Sequence, residues 1–124
     1  MFLSSVPEGT DIKTYDGSGE WVKIFTLGVE FRIDPTATEP MPSPFWLPFH
    51  DGKLSPKIPR QTPPGKYLLR IHQNWAGALP GQIYPPCAHI EVTPDPEVKP
   101  NLLPKGVKIP EALCAECPGE SFLT

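Results

Sequence analysis

Proline sets the limits on what this chain can fold into. Nineteen prolines and ten glycines stand among 124 residues. Proline lacks an N–H and clashes with the preceding helical turn, so it breaks helices and is confined to the edges and turns of sheets. A helical bundle is therefore excluded, and short strands joined by long proline-pinned loops remain, an all-β reading. The length predicts a single domain over residues 1–124, large enough to bury about two-thirds of its unfolded surface in one core. Hydrophobic residues at 39% and charged residues at 20% are the balance of a folded globular chain. No run approaches the roughly 20 apolar residues that span a bilayer, so no membrane association is expected. With 11 basic against 14 acidic residues the net charge is −3, and neither a basic excess nor a basic stripe is present, which excludes nucleic acid as a partner. The start, Met1-Phe2-Leu3-Ser4-Ser5-Val6-Pro7, has no basic residue and only a token apolar stretch, so no signal peptide is read there.

Periodicity then places the strands. Asp11 to Tyr15 and Glu20 to Phe25 are joined by Asp16-Gly17-Ser18-Gly19, and an Asp-Gly step predicts a hairpin because Gly accepts the positive φ of tight turns. Val29, Phe31 and Ile33 alternate with Glu30 and Arg32, the period-2 pattern of a half-buried strand. Nine prolines fall between Pro35 and Pro64, which predicts an extended or polyproline-like insert without regular structure. Phe45, Trp46, Leu47 and Phe49 inside it are too apolar for a solvated linker, so the loop is expected to fold back and cap the core. Lys66 to His72 is the strongest strand, with Tyr67, Leu69 and Ile71 on one face and Leu68, Arg70 and His72 on the other. A second runs from Cys87 to Thr93, and Trp75 to Pro86 between them reads as a Gly/Pro-rich loop. Val107 to Ile109 is a last short strand. Strands so far apart in sequence point to an antiparallel sandwich.

Chemistry-bearing residues are sparse. The three histidines, His50, His72 and His89, have no serine or cysteine beside them in a nucleophile turn, and no Gly-rich phosphate cradle occurs. Cys114 and Cys117 have the spacing of a zinc knuckle, and Cys87 and His89 complete a Cys₃His set on paper. A Cys-x-His pair within a strand is a poor clamp, so a small zinc-binding interaction protein ranks last among the readings.

Two runs carry a likeness: Ile58-Pro59 with Pro64-Gly65-Lys66-Tyr67-Leu68-Leu69-Arg70, and Gly81-Gln82-Ile83-Tyr84-Pro85-Pro86-Cys87-Ala88-His89-Ile90-Glu91-Val92. With Gly19-Glu20-Trp21-Val22-Lys23-Ile24, Val107-Lys108-Ile109-Pro110 and Pro118-Gly119, the chain resembles the C-terminal half of fungal lytic polysaccharide monooxygenases of auxiliary activity family nine, formerly glycoside hydrolase family 61. The likeness is best over residues 11–33 and 58–119, with 35–64 as the insert. It implies an immunoglobulin-like or fibronectin-III-like antiparallel sandwich, incomplete here, with long proline-rich loops.

The resemblance also implies copper as cofactor, cellulose or a related polysaccharide as partner, an extracellular location and a monomer. Gln82 matches the family's outer-sphere Gln and Tyr84 its axial Tyr. The copper itself is held by two brace histidines, one at the mature N-terminus and one in the family's first half. No His precedes His50, so a truncated or degenerate, inactive member without bound copper is expected. The family's outer-sphere His, nine residues before the Gln, falls at Gln73; counted from Arg70 it falls at Gly77. His72 is one residue out of register, a weak match to a metal-site position. Cys87 matches a Cys whose disulfide partner lies in the first half, and pairs with Cys114 or Cys117 instead on this reading. The alternative is a non-catalytic polysaccharide- or cell-wall-binding module, with Trp75 as a weaker sugar-stacking position beside Tyr84.

Overall fold

The structure, a computed structural model, describes residues 1–33, 36, 38, 42–46, 52–75 and 82–111. No helix occurs among them. Eight strands do: β1 (Phe2–Ser5), β2 (Val22–Lys23), β3 (Val29–Ile33), β4 (Pro42–Trp46), β5 (Gly65–Arg70), β6 (Gln73–Trp75), β7 (Gln82–Tyr84) and β8 (Cys87–Val92). Every pairing is antiparallel, the all-β build that the proline content requires. The chain divides into two compact units, Met1–Ile24 with Ile58–Thr124, and Phe25–Lys57.

The first unit is organised by a four-stranded sheet in the order β2-β1-β5-β8. Its central strand β1 was not foreseen, because four residues ending in Ser-Ser carry almost no periodic signal. Burial shows why it forms. Leu3 and Ser4 are fully enclosed and Phe2 is 5% exposed, since β2 and β5 flank β1 on both sides. Phe2 packs with Trp21 and Leu68 against Tyr15 and Ile109. On the opposite face Leu3 lies across from Leu69, and Tyr67 is buried. Burial pushes the Tyr67 phenol above its ordinary pKa, and its hydroxyl donates to the Pro63 carbonyl at 2.8 Å. Leu69, Ile71, Ile90 and Val92 are only half-buried, as expected of an inner face not fully covered.

Asp11 to Tyr15 is a turn and not a strand. The amides of Thr14 and Tyr15 donate to the Asp11 carbonyl and the Lys13 amide to its carboxylate, a local alternative that Asp offers the backbone. Asp16-Gly17 does turn the chain, with Gly17 at φ 75°, but it delivers Trp21 instead of closing a hairpin. The indole Nε1 donates to the Gly17 carbonyl at 2.9 Å, and a Cβ on Gly17 would lie 2.7 Å from the indole ring. The Tyr15 hydroxyl accepts the Gly19 amide and shares a hydrogen bond with buried Ser4, both at 2.9 Å. Val107 to Ile109 reduces to one bridge, in which Trp21 and Val107 exchange N–H···O bonds of 2.8 and 2.9 Å. Gly106 permits that approach: a Cβ there would sit 2.7 Å from the Trp21 carbonyl oxygen.

The second unit corrects the expectation that the proline-rich stretch lacks regular structure. β4 pairs with β3 from Val29↔Trp46 to Ile33↔Pro42. A two-stranded ribbon has only edge strands, and Pro42 and Pro44, two residues apart, can both turn their missing donors away from the ladder. β3 matches the predicted strand, but Phe31 and Ile33 are 66% and 60% exposed, so its alternation does not mark burial within this unit. The Arg32 guanidinium lies 4.0 Å from the Phe45 ring centroid and bonds the Glu30 carboxylate at 2.7 Å. The Trp46 side chain, Leu47 and Phe49 fall outside the described residues, as does His50.

Two measurements test this fold. Leu3→Ala should cost about 2–4 kcal/mol in urea unfolding, because a fully enclosed Leu between two strands leaves a cavity that the sheet cannot close. The second concerns Asp95, whose carboxyl is held below the ordinary range by the Glu97 amide and then by Arg60. A lowered folded-state pKa stabilises above the unfolded carboxylate's pKa, and this contribution is lost as pH falls through the folded value. Asp95→Asn should therefore lower the urea midpoint at pH 7, with the difference from the parent vanishing at the acid end of the titration.

Candidate functional site

The predicted loop from Trp75 to Pro86 contains a hairpin. β6 and β7 pair with Gln73 opposite Tyr84, Asn74 opposite Ile83, and Trp75 opposite Gln82. Directly opposed residues, and residues two apart, share a face of a strand pair. The register therefore places positions 73, 75, 82 and 84 on one face and 74 and 83 on the other. A signal for this pairing was available: Gln-Asn-Trp and Gln-Ile-Tyr flank a stretch whose Ala-Gly and Pro-Gly steps are turn formers. Residues 76–81, Gly77 among them, lie outside those described.

Gln82 and Tyr84 are exposed, Tyr84 to 51%, and the Tyr84 hydroxyl donates to Gln82 Oε1. The pair thus presents the phenol oxygen's lone pairs beside the Gln amide donors. Gln73 is exposed on β6 across from Tyr84. Trp75 occupies the register position across from Gln82; its side chain is outside the described set.

His72 takes another direction. Its Nε2 accepts the Arg70 Nε–H at 2.7 Å, and its ring lies 4.8 Å from the Phe2 ring, tilted by 48°. Arg70 in turn lies 5.8 Å from the Trp21 ring. His72 therefore belongs to the packing around Phe2, one residue before the ribbon begins. His89 stands exposed on β8 opposite Leu68. Cys87, at the start of β8, carries an exposed free thiol 3.8 Å from the Pro85 carbonyl; Cys114 and Cys117 lie outside the described residues. Among the described residues no three His, Cys, Asp or Glu side chains gather as a metal site requires. None of the described residues forms a helix long and apolar enough to cross a membrane.

Comparison with known proteins gives this geometry a family. The profile of Auxiliary Activity family 9 (formerly GH61) matches residues 1–123. The chain belongs to Auxiliary Activity family 9. An AA9 family lytic polysaccharide monooxygenase G of Aspergillus tamarii is 35% identical to it, covering 98% of this chain and 36% of the relative. An AA9 family lytic polysaccharide monooxygenase E of Podospora anserina is 34% identical, covering 96% and 36%. A third, AA9 family lytic polysaccharide monooxygenase U of Thermothielavioides terrestris, is 32% identical over 74% of this chain and 32% of its own length. The chain thus spans about a third of the length of these AA9 relatives. No solved structure matches it significantly. AA9 domains are β-sandwiches, and the antiparallel sheets described above are of that class.

The hydrogen bond between Tyr84 and Gln82 joins two exposed side chains, so it should matter little to folding. Tyr84→Phe should shift the unfolding free energy by no more than about 0.5 kcal/mol, measured by urea titration beside Leu3→Ala.

Proposed function

We propose that these residues are the part of a secreted, copper-dependent AA9 polysaccharide monooxygenase that carries Gln82 and Tyr84, which would stand beside the copper if it were bound. Cellulose or a related polysaccharide is its partner, and residues 1–124 form one structural part of that enzyme without cleaving the substrate by themselves. The observation that carries this reading is the β6–β7 ribbon, where Gln82 and Tyr84 share an exposed face and a hydrogen bond. Gln73 takes the place of the family's outer-sphere His, in register with Tyr84. On this reading Gln73 is the residue that keeps the ribbon's polar face continuous.

Copper(II) favours a tetragonal set of nitrogen ligands. His72 is engaged with Arg70, His89 stands on β8, and no cluster of metal-ligating side chains gathers among the described residues. On this reading residues 1–124 hold no copper set of their own. Gln82 and Tyr84 then act as a positioning pair, each fixing the other's rotamer before the metal-bearing residues arrive.

The test is direct. The 124-residue chain, loaded with Cu(II), desalted and supplied with ascorbate and amorphous cellulose, should retain no stoichiometric copper by elemental analysis. It should release no oxidised oligosaccharides above a metal-free control by mass spectrometry. Stoichiometric copper together with oxidised products would overturn the reading of an inactive part.

A further inference from the structure

The β5–β8 and β6–β7 ladders are in one register, joined across a weak rung. Arg70 lies opposite Cys87 and Gln73 opposite Tyr84, so both chains advance equally between the two pairs and no residue is inserted. Rungs of such a ladder alternate between hydrogen-bonded and non-hydrogen-bonded pairs. The Ile71 amide donates to the Pro86 carbonyl at 3.0 Å, which makes Ile71 and Pro86 a hydrogen-bonded rung. Proline has no N–H to return, so that rung lacks its second bond. By the same alternation the next hydrogen-bonded rung is Gln73 with Tyr84, already inside the ribbon that carries Gln82. The backbone therefore holds the ribbon to the sheet least firmly at the step where the ribbon starts.

Side chains bridge that step from the other face. Leu68, Arg70 and His72 share one side of the ladder, and Leu69, Ile71 and Gln73 the opposite one. His72 thus lies behind the face that Gln73, Gln82 and Tyr84 occupy. The Nε2 of half-buried His72 accepts the Arg70 Nε–H at 2.7 Å, and its ring packs on Phe2 at 4.8 Å between centroids. Both partners are rooted in the core. Phe2 is buried with Trp21 and Leu68 and pairs with Arg70 across β1 and β5, and the Arg70 guanidinium lies 5.8 Å from the Trp21 ring. We propose that His72 is a positioning residue: through Arg70 and Phe2 it anchors the start of the ribbon to the core, and so fixes the face that Gln73, Gln82 and Tyr84 share. Its value to the enzyme rests on the role given above to Gln82 and Tyr84; the anchoring itself does not. The two contacts can be separated by substitution. Gln at this position keeps an acceptor for Arg70 and loses the ring, whereas Ala loses both.

Native-state amide exchange of the 124-residue chain, read by NMR, distinguishes ribbon from sheet. By the alternation, the amides of Gln73, Trp75, Gln82 and Tyr84 report on the ribbon, and those of Tyr67, Leu69, Ala88 and Ile90 on the sheet. His72→Ala should speed exchange in the ribbon about tenfold more than in the sheet, because a hydrogen bond from a charged group and a ring contact are lost at the junction. His72→Gln should exchange about threefold more slowly in the ribbon than His72→Ala, since the Arg70 bond is kept. Leu3→Ala, which weakens the sheet from its centre, should speed the sheet at least as much as the ribbon. Tyr84 reports the effect at the site itself: its Hα–Hβ couplings should move toward rotamer averages in His72→Ala and return in His72→Gln. None of these readings involves copper. Stoichiometric copper and oxidised products from this chain would refute the inactive part and leave the anchoring standing. Equal acceleration of ribbon and sheet by His72→Ala, no recovery in His72→Gln, a ribbon-selective effect of Leu3→Ala, or unchanged Tyr84 couplings overturns the anchoring.

Discussion

The indole of Trp21 is the point on which the larger unit depends. Its Nε1 fixes the Gly17 carbonyl, its ring packs with Phe2 and Leu68, and its backbone exchanges two hydrogen bonds with Val107. Four stretches thus meet at one residue: the nearby 16–19 turn and the distant β1, β5 and segment around Val107. Each contact is also guarded sterically. Gly17 must have no Cβ because the ring lies against it, and Gly106 must have none because the Trp21 backbone does. A second layer of bonds holds the same corner, where Gly106 donates to the Glu20 carboxylate and the Lys108 ammonium to the Ser18 carbonyl. The largest side chain in the core therefore locks the connections as well as filling space.

How much of this was legible follows from how each element is stabilised. β3, β5 and β8 match their expected bounds nearly to the residue: β3 and β8 alternate polar with apolar residues, and β5 carries an apolar run whose Tyr67 and Leu68 are buried on its two faces. β1 left no such trace: it is enclosed by strands on both edges, and Phe2-Leu3 followed by Ser4-Ser5 does not alternate in polarity. β4 was hidden by its prolines, which signal against strand structure in a central position yet are harmless in a two-stranded ribbon. The turn at Asp11 was hidden for the opposite reason, since the apolar Ile12 and Tyr15 looked like strand positions while the Asp11 oxygens captured the local amides.

The candidate site was partly legible. Gln82 and Tyr84 were singled out by the family resemblance, and residues two apart on a strand share a face, so the hydrogen bond between them becomes possible once β7 exists. The Gly/Pro-rich composition after Trp75 hid β6, although its Ala-Gly and Pro-Gly steps are turn formers. The pairing of Gln73 with Tyr84 depends on a short ribbon whose connecting residues look like plain loop, and it converts a match counted along the chain into neighbours across a strand pair. His72 shows how fine the distinction is. It immediately precedes Gln73, but the chain has not yet entered the ribbon there, and its imidazole is taken by Arg70 and Phe2 instead.

Proline explains the sheet's outline as well as its class. β1 is followed by Pro7, β5 is preceded by Pro63-Pro64, and β8 lies between Pro85-Pro86 and Pro94. These residues end each ladder because they supply no donor for the next rung and hold the chain extended. The three strands between them contain no proline, which lets the sheet form.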